Sequence, residues 1–260
     1  MYYNTPREVI ELMIRVHFII HEDFEVPGAY EKWAIGKGYG ISFSRVYEGE
    51  PLPQNTDNLD LLIVMGGPQC PSTTRKECSH FDASYEIATI QQFISVHKVV
   101  IGVCLGAQLI GEALGAKFEK SPFKEIGSYS IILTEEGASN ENISHFPCEV
   151  PVGHWHGDMP GLTSESIILA YSEGCPRQII EYSEFVYGFQ CHMEFNLEVV
   201  ELLIEASQEE LNNYSGERFI QSSENLRANN YSEMNELLYG FLDRLVEKYM
   251  LIQGSSSVPE

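Results

Sequence analysis

The amino-acid sequence predicts an α/β fold in which a mostly parallel sheet is flanked by helices and carries a small antiparallel β extension. In the first half of the chain, short apolar runs alternate with segments of helical periodicity, which is typical of parallel strands joined by helices. These runs are near-continuously apolar, as expected for strands that helices cover on both faces of the sheet. After residue 128, four β-type runs follow one another closely, which indicates antiparallel strands.

The individual elements follow from these patterns in chain order. Parallel strands are expected over residues 14–20, 41–47, 59–65 and 99–103. Helices are expected over residues 30–37, 81–96 and 107–114. Antiparallel strands are expected over residues 129–134, 166–171, 178–182 and 186–190. The C-terminal part is expected to hold a helix over 196–207 behind an Asn196 cap, mixed helix and loop over 208–230, and an amphipathic helix over 231–251.

The domain organisation is predicted to be simple. We expect a single domain over residues 13–251, because no low-complexity linker interrupts residues 13–208. Residues 1–12 are interpreted as an N-terminal extension, and residues 252–260 as a disordered tail.

The composition excludes several classes of function. With 16 basic and 38 acidic residues, the formal net charge is −22, which repels polyanions and argues against a nucleic-acid partner. No apolar run approaches the length of a membrane span, and the N-terminus lacks the basic region of a signal peptide, so we expect a cytoplasmic protein without membrane association. The six cysteines lack CxxC spacing, which favours free thiols over a disulfide framework or a structural zinc site.

The most informative segment surrounds Cys104. An apolar run over residues 99–103 ends at this cysteine, glycines stand at 102 and 106, and a helical pattern begins at once. This is the layout of a nucleophile elbow, in which small flanking residues allow the sharp turn that lifts one side chain above the sheet. The positive end of the helix dipole favours the thiolate, so Cys104 is predicted to be a nucleophile rather than an inert core cysteine.

A second segment supplies a candidate base. His192 and Glu194 follow the predicted strand 186–190 with i, i+2 spacing, which places both side chains on one face of an extended chain. A carboxylate beside an imidazole can hold one ring nitrogen protonated and direct the other at an acceptor. We therefore predict a catalytic triad of Cys104, His192 and Glu194.

A cysteine nucleophile that attacks a carbonyl needs hydrogen-bond donors for the oxyanion that forms. In elbow folds, one donor is the backbone N–H directly after the nucleophile, which is that of Leu105 here. The second is predicted to be the N–H of Gly67, because Gly66-Gly67-Pro68 ends a neighbouring strand at the carboxyl edge of the sheet.

Three blocks of this sequence resemble the signature blocks of the class I, triad-type glutamine amidotransferases. They are Met65-Gly-Gly-Pro-Gln69, Gly102-Val-Cys-Leu-Gly-Ala-Gln108 and Gly188-Phe-Gln-Cys-His-Met-Glu194. The resemblance covers about residues 13–200 and is closest to the stand-alone branch related to the amidotransferase domain of GMP synthase. It implies a flavodoxin-like fold and a γ-glutamyl thioester on the cysteine, formed from glutamine with release of ammonia.

The resemblance also implies roles for individual residues. Cys104 becomes the nucleophile, His192 the general base and acid, and Glu194 the residue that orients His192, while Gly67 and Leu105 supply the oxyanion amides. Gln108 matches a residue that contacts bound glutamine. In the block Gly153-His-Trp-His-Gly-Asp158, residues Gly157 and Asp158 match the end of the site that binds the α-groups of glutamine.

The sequence departs from the family pattern at several points. Met193 stands where the family commonly has proline, and Cys191, interpreted as a spectator thiol, stands where a bulky apolar residue is frequent. His154 and His156 share one face of an extended segment, but no third ligand with convincing spacing is apparent, so we expect no metal and no cofactor. No synthetase domain or phosphate-binding loop is present in this sequence, so a partner synthetase or another ammonia acceptor is expected to be a separate protein.

Three hypotheses for the function follow. The first is a glutamine amidotransferase-type amide hydrolase that releases ammonia from glutamine through the thioester on Cys104. The second keeps the triad but hydrolyses γ-glutamyl peptides or γ-glutamyl amines. The third is a non-catalytic binding protein on the same scaffold, which is disfavoured because no member of the triad is missing.

Overall fold

The computed structural model describes residues 13–255, so the predicted extension over residues 1–12 and the tail from residue 256 lie outside the described residues. The strands are β1 Arg15–Ile20, β2 Gly40–Arg45, β3 Leu61–Val64, β4 Val99–Val103, β5 Glu119–Leu133, β6 Glu149–Met159, β7 Ile167–Ser172, β8 Ile179–Ser183 and β9 Val186–Phe189. The helices are α1 Ala29–Gly36, α2 Ala83–Ser95, α3 Leu105–Ala113, α4 Glu135–Ser139, α5 Leu197–Ala206, α6 Gln208–Asn213, α7 Ser223–Ala228 and α8 Ser232–Ser255. A short 3₁₀ turn, Val46–Glu48, follows β2.

The described strands form one mixed sheet in the order β2-β1-β3-β4-β9-β8-β7-β5-β6. Strands β2, β1, β3, β4 and β9 run parallel, and β8, β7, β5 and β6 each pair antiparallel with a neighbour. The order 2-1-3-4 at the parallel end is that of flavodoxin-like folds. The predicted fold class, a mostly parallel sheet with an antiparallel extension, is therefore confirmed.

The parallel strands β1, β3, β4 and β9 are buried because helices cover both faces of the sheet, whereas the edge strand β2 is half-buried. Along β1, Phe18 belongs to a core that includes residues of α1, α5 and α8, whereas the next residue, Ile19, belongs to a core that includes residues of α2 and α3. This alternation is the period of two expected for a strand. The C-terminal helix α8 is part of the first core, since Leu238, Phe241 and Leu245 are fully buried.

The antiparallel extension is larger than the sequence indicated. Strand β5 spans 15 residues, whereas the sequence predicted a strand only over 129–134. Its first half is polar and partly exposed, and a register shift between Lys120 and Glu125 interrupts its pairing with β6. This bulge accommodates Pro122, which cannot donate a ladder hydrogen bond, and it explains why no regular alternation marked this half as a strand.

Several predicted boundaries shift by one or a few residues, and two of the shifts change the type of structure. Strand β2 ends at Arg45, and the chain enters the 3₁₀ turn where the sequence predicted two more strand residues. Helix α8 continues to Ser255, so the first residues of the predicted tail are helical. Within residues 13–255, none of the helices has the length and hydrophobicity needed to cross a membrane.

Candidate active site

Cys104 stands at the turn between β4 and α3, as the elbow pattern predicts. Its backbone has φ 51° and ψ −105°, a conformation that is uncommon for a non-glycine residue. Glycine is required on both sides because the elements are in close contact. A Cβ on Gly106 would lie 2.0 Å from the carbonyl oxygen of Val64, and one on Gly102 would lie 2.3 Å from the carbonyl carbon of Gly106. Without side chains at Gly102 and Gly106, α3 can pack directly against the sheet, and the sharp turn places the Cys104 side chain above it.

His192 and Glu194 follow the end of β9 and form a short, buried pair. Nδ1 of His192 lies 2.6 Å from Oε1 of Glu194, and each residue is 1% exposed. The segment is held by its neighbours: the N–H of His192 donates to the carbonyl of Gly153 at 2.7 Å, and the N–H of Ala29 donates to the carbonyl of Glu194 at 3.1 Å. The ring of Phe195 stacks on the imidazole at 4.5 Å between centroids.

The electrostatic environment favours a proton on His192. Burial lowers the pKa of His192, but the charge of Glu194 and the neighbouring Cys104 raise it by a larger amount. The net pKa of His192 therefore lies well above its ordinary value. Nε2 has no hydrogen-bond partner among the described residues, while the thiol of Cys104 donates to the carbonyl of Trp155 at 3.7 Å. The raised pKa makes Nε2, the ring nitrogen that Glu194 leaves free, a strong base within the site.

The two predicted oxyanion donors are neighbours. A Cβ on Gly67 would lie 3.0 Å from Cδ2 of Leu105, so the loop after β3 contacts the start of α3. Within residues 13–255, no hydrogen-bond acceptor takes the N–H of Gly67 or that of Leu105. Both amides can thus serve an oxygen atom placed beside Cys104.

A cavity of about 900 Å³ opens over Cys104. Its lining includes Cys104 and the predicted residues Gly67, Gln108, Gly157 and Asp158. The side-chain N–H of Gln108 donates to Oε1 of Gln190 at 3.2 Å, and its own oxygen has no described partner. A carboxylate oxygen of Asp158 lies 2.6 Å from Nζ of Lys120, whose side chain is 82% exposed.

The structure adds residues that the sequence analysis missed. Glu25, from the loop after β1, lines the cavity. A Cβ on Gly66 would lie 2.7 Å from Oε2 of Glu25 and 3.3 Å from Cε1 of His192, so these two side chains are close neighbours. Burial raises the pKa of Glu25 to about 7, against the effect of His192. No sequence pattern marked this carboxylate, because its loop carries three acidic residues within four positions, which is typical of a solvated turn.

Helix α6 forms part of the cavity rim and was also not recognised as part of the site. Glu210 accepts a hydrogen bond from the Trp155 ring nitrogen at 2.8 Å and forms an ion pair with Lys124. These contacts tie the helix to β5 and β6. No sequence signal indicated this role, because residues 208–230 are mainly polar and their few apolar residues show no clear periodicity.

Two groups of described side chains could hold a metal ion. The first is buried and adds Glu125 to His154 and His156, a third ligand that the sequence spacing did not reveal. Hydrogen bonds already satisfy much of this group: Glu125 accepts from Ser172 and Gln178, and burial lowers the pKa of His154 to about 4. The second group is half-buried and consists of Glu22, Cys78 and His80.

Cys191 lies next to His192 but has an inert environment. It is fully buried, its thiol donates to the carbonyl of Gln178 at 3.7 Å, and burial raises its pKa well above the ordinary value. A neutral, enclosed thiol fits the predicted role of a spectator. Met193 is also fully buried, and its carbonyl accepts a hydrogen bond of 2.7 Å from the Asn235 side chain of α8, which fixes the backbone between His192 and Glu194.

Comparison with known proteins shows the family of this chain. The family described as "Glutamine amidotransferase class-I" matches residues 38–204. The chain is 58% identical over 232 residues to the glutamine amidotransferase-like protein YfeJ of Salmonella typhimurium, over 89% of this chain and 97% of that protein. It is 30% identical over 162 residues to one of the subunits of the glutamine-hydrolysing GMP synthase of Methanococcus maripaludis, over 61% of this chain and 77% of that protein.

A solved structure shows the same fold. The crystal structure of SMU.1228c has a TM-score of 0.88 and 50% sequence identity, and the match covers 90% of this chain and 100% of that one. The family match spans more than half of the chain and contains Cys104, His192 and Glu194. The chain therefore belongs to the class I glutamine amidotransferase family.

Proposed function

We propose that this protein is an amide hydrolase of the glutamine amidotransferase type, which releases ammonia from glutamine. The observation that carries the proposal is the buried His192–Glu194 pair, with its 2.6 Å contact and an unpartnered Nε2, beside a cysteine on a strained elbow. A strained backbone at a cavity wall is typical of a functional residue. A binding protein without catalysis would have no need for this combination.

The reaction uses each member of the triad in turn. Nε2 of His192 accepts the proton of the Cys104 thiol, and the thiolate attacks the γ-carbonyl carbon of the substrate. The oxyanion accepts hydrogen bonds from the N–H groups of Gly67 and Leu105. When the tetrahedral intermediate collapses, His192 returns the proton to the leaving nitrogen, ammonia departs, and a γ-glutamyl thioester remains on Cys104.

Deacylation repeats the sequence with water. His192 removes a proton from a water molecule, which attacks the thioester carbonyl, and the sulfur leaves and regains a proton as glutamate is released. Glu194 keeps the imidazole oriented and stabilises its charged form in both halves of the reaction. The cavity that opens over Cys104 gives water a route to the thioester.

Recognition of the γ-glutamyl group is proposed for one end of the cavity. Asp158 suits the α-ammonium group of the substrate, and Gln108 has an unpartnered oxygen to offer it. Lys120 now pairs with Asp158, but its side chain is 82% exposed, so releasing an ion pair of this kind costs little. Gly157 lines the same wall and leaves room for the α-groups.

A second candidate is the hydrolysis of γ-glutamyl peptides or γ-glutamyl amines by the same triad. The cavity volume of about 900 Å³ favours it, because this size is at the upper end of the range for drug-sized ligands and far exceeds one amino acid. The amine part of a larger substrate would have space along the rim formed by α6. In the first candidate, the same space would serve a synthetase partner that takes up the ammonia.

The test is steady-state release of glutamate by the purified chain from glutamine, γ-glutamyl amines and γ-glutamyl dipeptides. Cys104→Ser is expected to abolish turnover of every substrate, whereas Cys148→Ser, at an exposed cysteine, is expected to leave it unchanged. The ratio of kcat/KM values separates the two candidates. Full activity of Cys104→Ser contradicts the proposed mechanism.

A further inference from the structure

A second histidine–carboxylate pair lies beneath the loop that carries Gly67. His21 follows β1 directly, and its Nε2 lies 2.8 Å from Oε2 of Glu86 on α2. His21 is 0% exposed and Glu86 is 1% exposed, so the pair is shielded from water. The other ring nitrogen, Nδ1, lies 2.8 Å from the carbonyl oxygen of Gly66. The mechanism described above uses none of these groups.

The partners of His21 determine its charge. An ionised carboxylate and a backbone carbonyl are both hydrogen-bond acceptors, so both ring nitrogens must carry a proton to satisfy them. Burial lowers the pKa of His21, but the charge of Glu86, its hydrogen bond and the Gly66 carbonyl raise it by more, and the net pKa is raised. The two oxygen partners and the raised pKa together favour the charged form of His21, with Glu86 as its counter-ion.

The contact with Gly66 acts on the neighbouring amide. The peptide unit that joins Gly66 to Gly67 is planar and trans, so its C=O and its N–H point in opposite directions. A hydrogen bond that fixes the carbonyl oxygen of Gly66 therefore fixes the direction of the Gly67 N–H. Without it, two successive glycines would leave this peptide free to rotate.

The packing around Gly67 supports the same interpretation. A Cβ on Gly67 would lie 3.0 Å from Cβ of His21 and 3.0 Å from Cδ2 of Leu105, so the loop is enclosed between the imidazole and the start of α3. The ring of Phe81 covers His21 edge-on, at 5.8 Å between centroids. The loop is thus supported from below by a rigid group, while the N–H of Gly67 has no described acceptor.

We propose that His21, held in its charged form by Glu86, is a positioning residue that orients the Gly66–Gly67 peptide so that the Gly67 N–H faces the oxyanion. The charge of the imidazolium also polarises this peptide and strengthens its N–H as a donor. His21 contacts neither the substrate nor Cys104 and acts through the backbone alone. The inference rests on the proposed function, in which Gly67 supplies an oxyanion amide.

Three substitutions separate the contributions of the two His21 hydrogen bonds and of the Glu86 counter-ion. His21→Leu removes both hydrogen bonds, His21→Gln keeps a side-chain donor for the Gly66 carbonyl, and Glu86→Gln removes the counter-ion. The matched control is His17→Leu, at a histidine of β1 that is 6% exposed and bonds to Ser42 and Ser44 instead. Loss of one oxyanion donor lowers kcat by about 10²–10³. We expect a fall in this range for His21→Leu with KM nearly unchanged, and a smaller fall for Glu86→Gln.

A second readout distinguishes orientation of the amide from general damage to the site. The thiol of Cys104 adds to the aldehyde carbon of glutamate γ-aldehyde and forms a hemithioacetal. The oxygen of this adduct occupies the oxyanion position. Iodoacetamide alkylates the same sulfur at a saturated carbon with loss of iodide, and no oxyanion forms. His21→Leu is expected to weaken aldehyde binding by about 10²-fold, in line with the loss of one donor. Its alkylation rate at Cys104 is expected to stay within about twofold, and His21→Gln is expected to recover part of the aldehyde affinity.

The outcomes are distinct. A wild-type protein that neither releases glutamate nor binds the aldehyde overturns the proposed function itself. If the wild type is active but the His21 and Glu86 variants bind the aldehyde as tightly as it does, this inference alone is wrong. It is also wrong if aldehyde binding and alkylation fall together in every variant, or if His17→Leu has the same effect. Should His21→Leu fail to fold, His21→Gln and Glu86→Gln carry the same comparison.

Discussion

Replacement of Cys104 by glycine is expected to make the protein more stable than replacement by alanine. Cys104 has φ 51° and ψ −105°, and Gly28, which precedes α1 as Cys104 precedes α3, has nearly the same conformation, φ 53° and ψ −118°. At position 28 the residue is glycine and this conformation is free of steric strain. At position 104 a Cβ is present, so Cys104 is held in a strained backbone.

The magnitude follows from two opposing contributions. A non-glycine residue in such a region costs about 1–3 kcal/mol, which Cys104→Gly relieves and Cys104→Ala retains. Glycine adds about 0.4–1 kcal/mol of conformational entropy to the unfolded chain. Cys104→Gly should therefore exceed Cys104→Ala in free energy of unfolding by about 0.5–2 kcal/mol.

The assay is urea unfolding of both variants, supported by their Tm values, which shift by about 2–4 °C per kcal/mol for a chain of this size. The control pair is Cys148→Gly and Cys148→Ala, at an exposed cysteine where φ is not positive. There, glycine should be the less stable of the two. If Cys104→Gly is also less stable than Cys104→Ala, the elbow stores no strain and the reasoning is refuted. Neither Cys104 variant should release glutamate.

Three further predictions concern the triad, the cavity and the core. Glu194→Gln should lower kcat by about 10³–10⁴ without unfolding the protein, because the amide cannot stabilise the imidazolium, and Glu198→Gln, at the exposed start of α5, is the matched control for steady-state kinetics. The pKa of Glu25 is raised to about 7 in the folded protein, whereas the unfolded chain loses this proton near pH 4.5. The free energy of unfolding therefore falls as the pH rises between these two values. Glu25→Gln should therefore be more stable than wild type at pH 8 by about 1–2 kcal/mol and nearly equal to it at pH 5, as checked by urea unfolding, whereas an equal difference at both pH values would contradict the assignment. Phe241→Ala should cost about 3–5 kcal/mol in thermal and urea unfolding, because its ring is fully buried in aromatic contacts, and a change below about 1 kcal/mol would show that α8 does not complete the core.

Much of the parallel half of the fold could be predicted from local pattern. Strand β4 has the predicted boundaries, because an apolar run between a turn and a glycine-flanked cysteine leaves little freedom. Helix α5 begins behind Asn196 as expected, since the Asn196 side chain accepts from the N–H groups of Glu198 and Val199. In contrast, the first half of β5 is a strand because β6 pairs with it. A charged segment of this kind carries no internal sign of its partner.

The candidate site divides in the same way. The positions of Cys104, His192 and Glu194 were predicted because short-range geometry, an elbow and an i, i+2 spacing, marks them. The contributions of Glu25 and of His21 could not be predicted, because each is defined by a partner from another element. A carboxylate in a polar loop looks solvated until the fold places it against His192.

The sequence by itself determined the class of fold and predicted a nucleophile with the residues that accompany it, because these depend on periodicity and turn chemistry over a few neighbouring positions. Only the tertiary structure decided which buried groups have shifted pKa values and which polar atoms meet across the fold. Burial and the approach of distant side chains set both properties: Glu86 lies on α2 and Gly66 follows β3, yet both meet His21 at 2.8 Å. No local pattern contains that distance, because it results from the packing of the whole parallel half of the sheet.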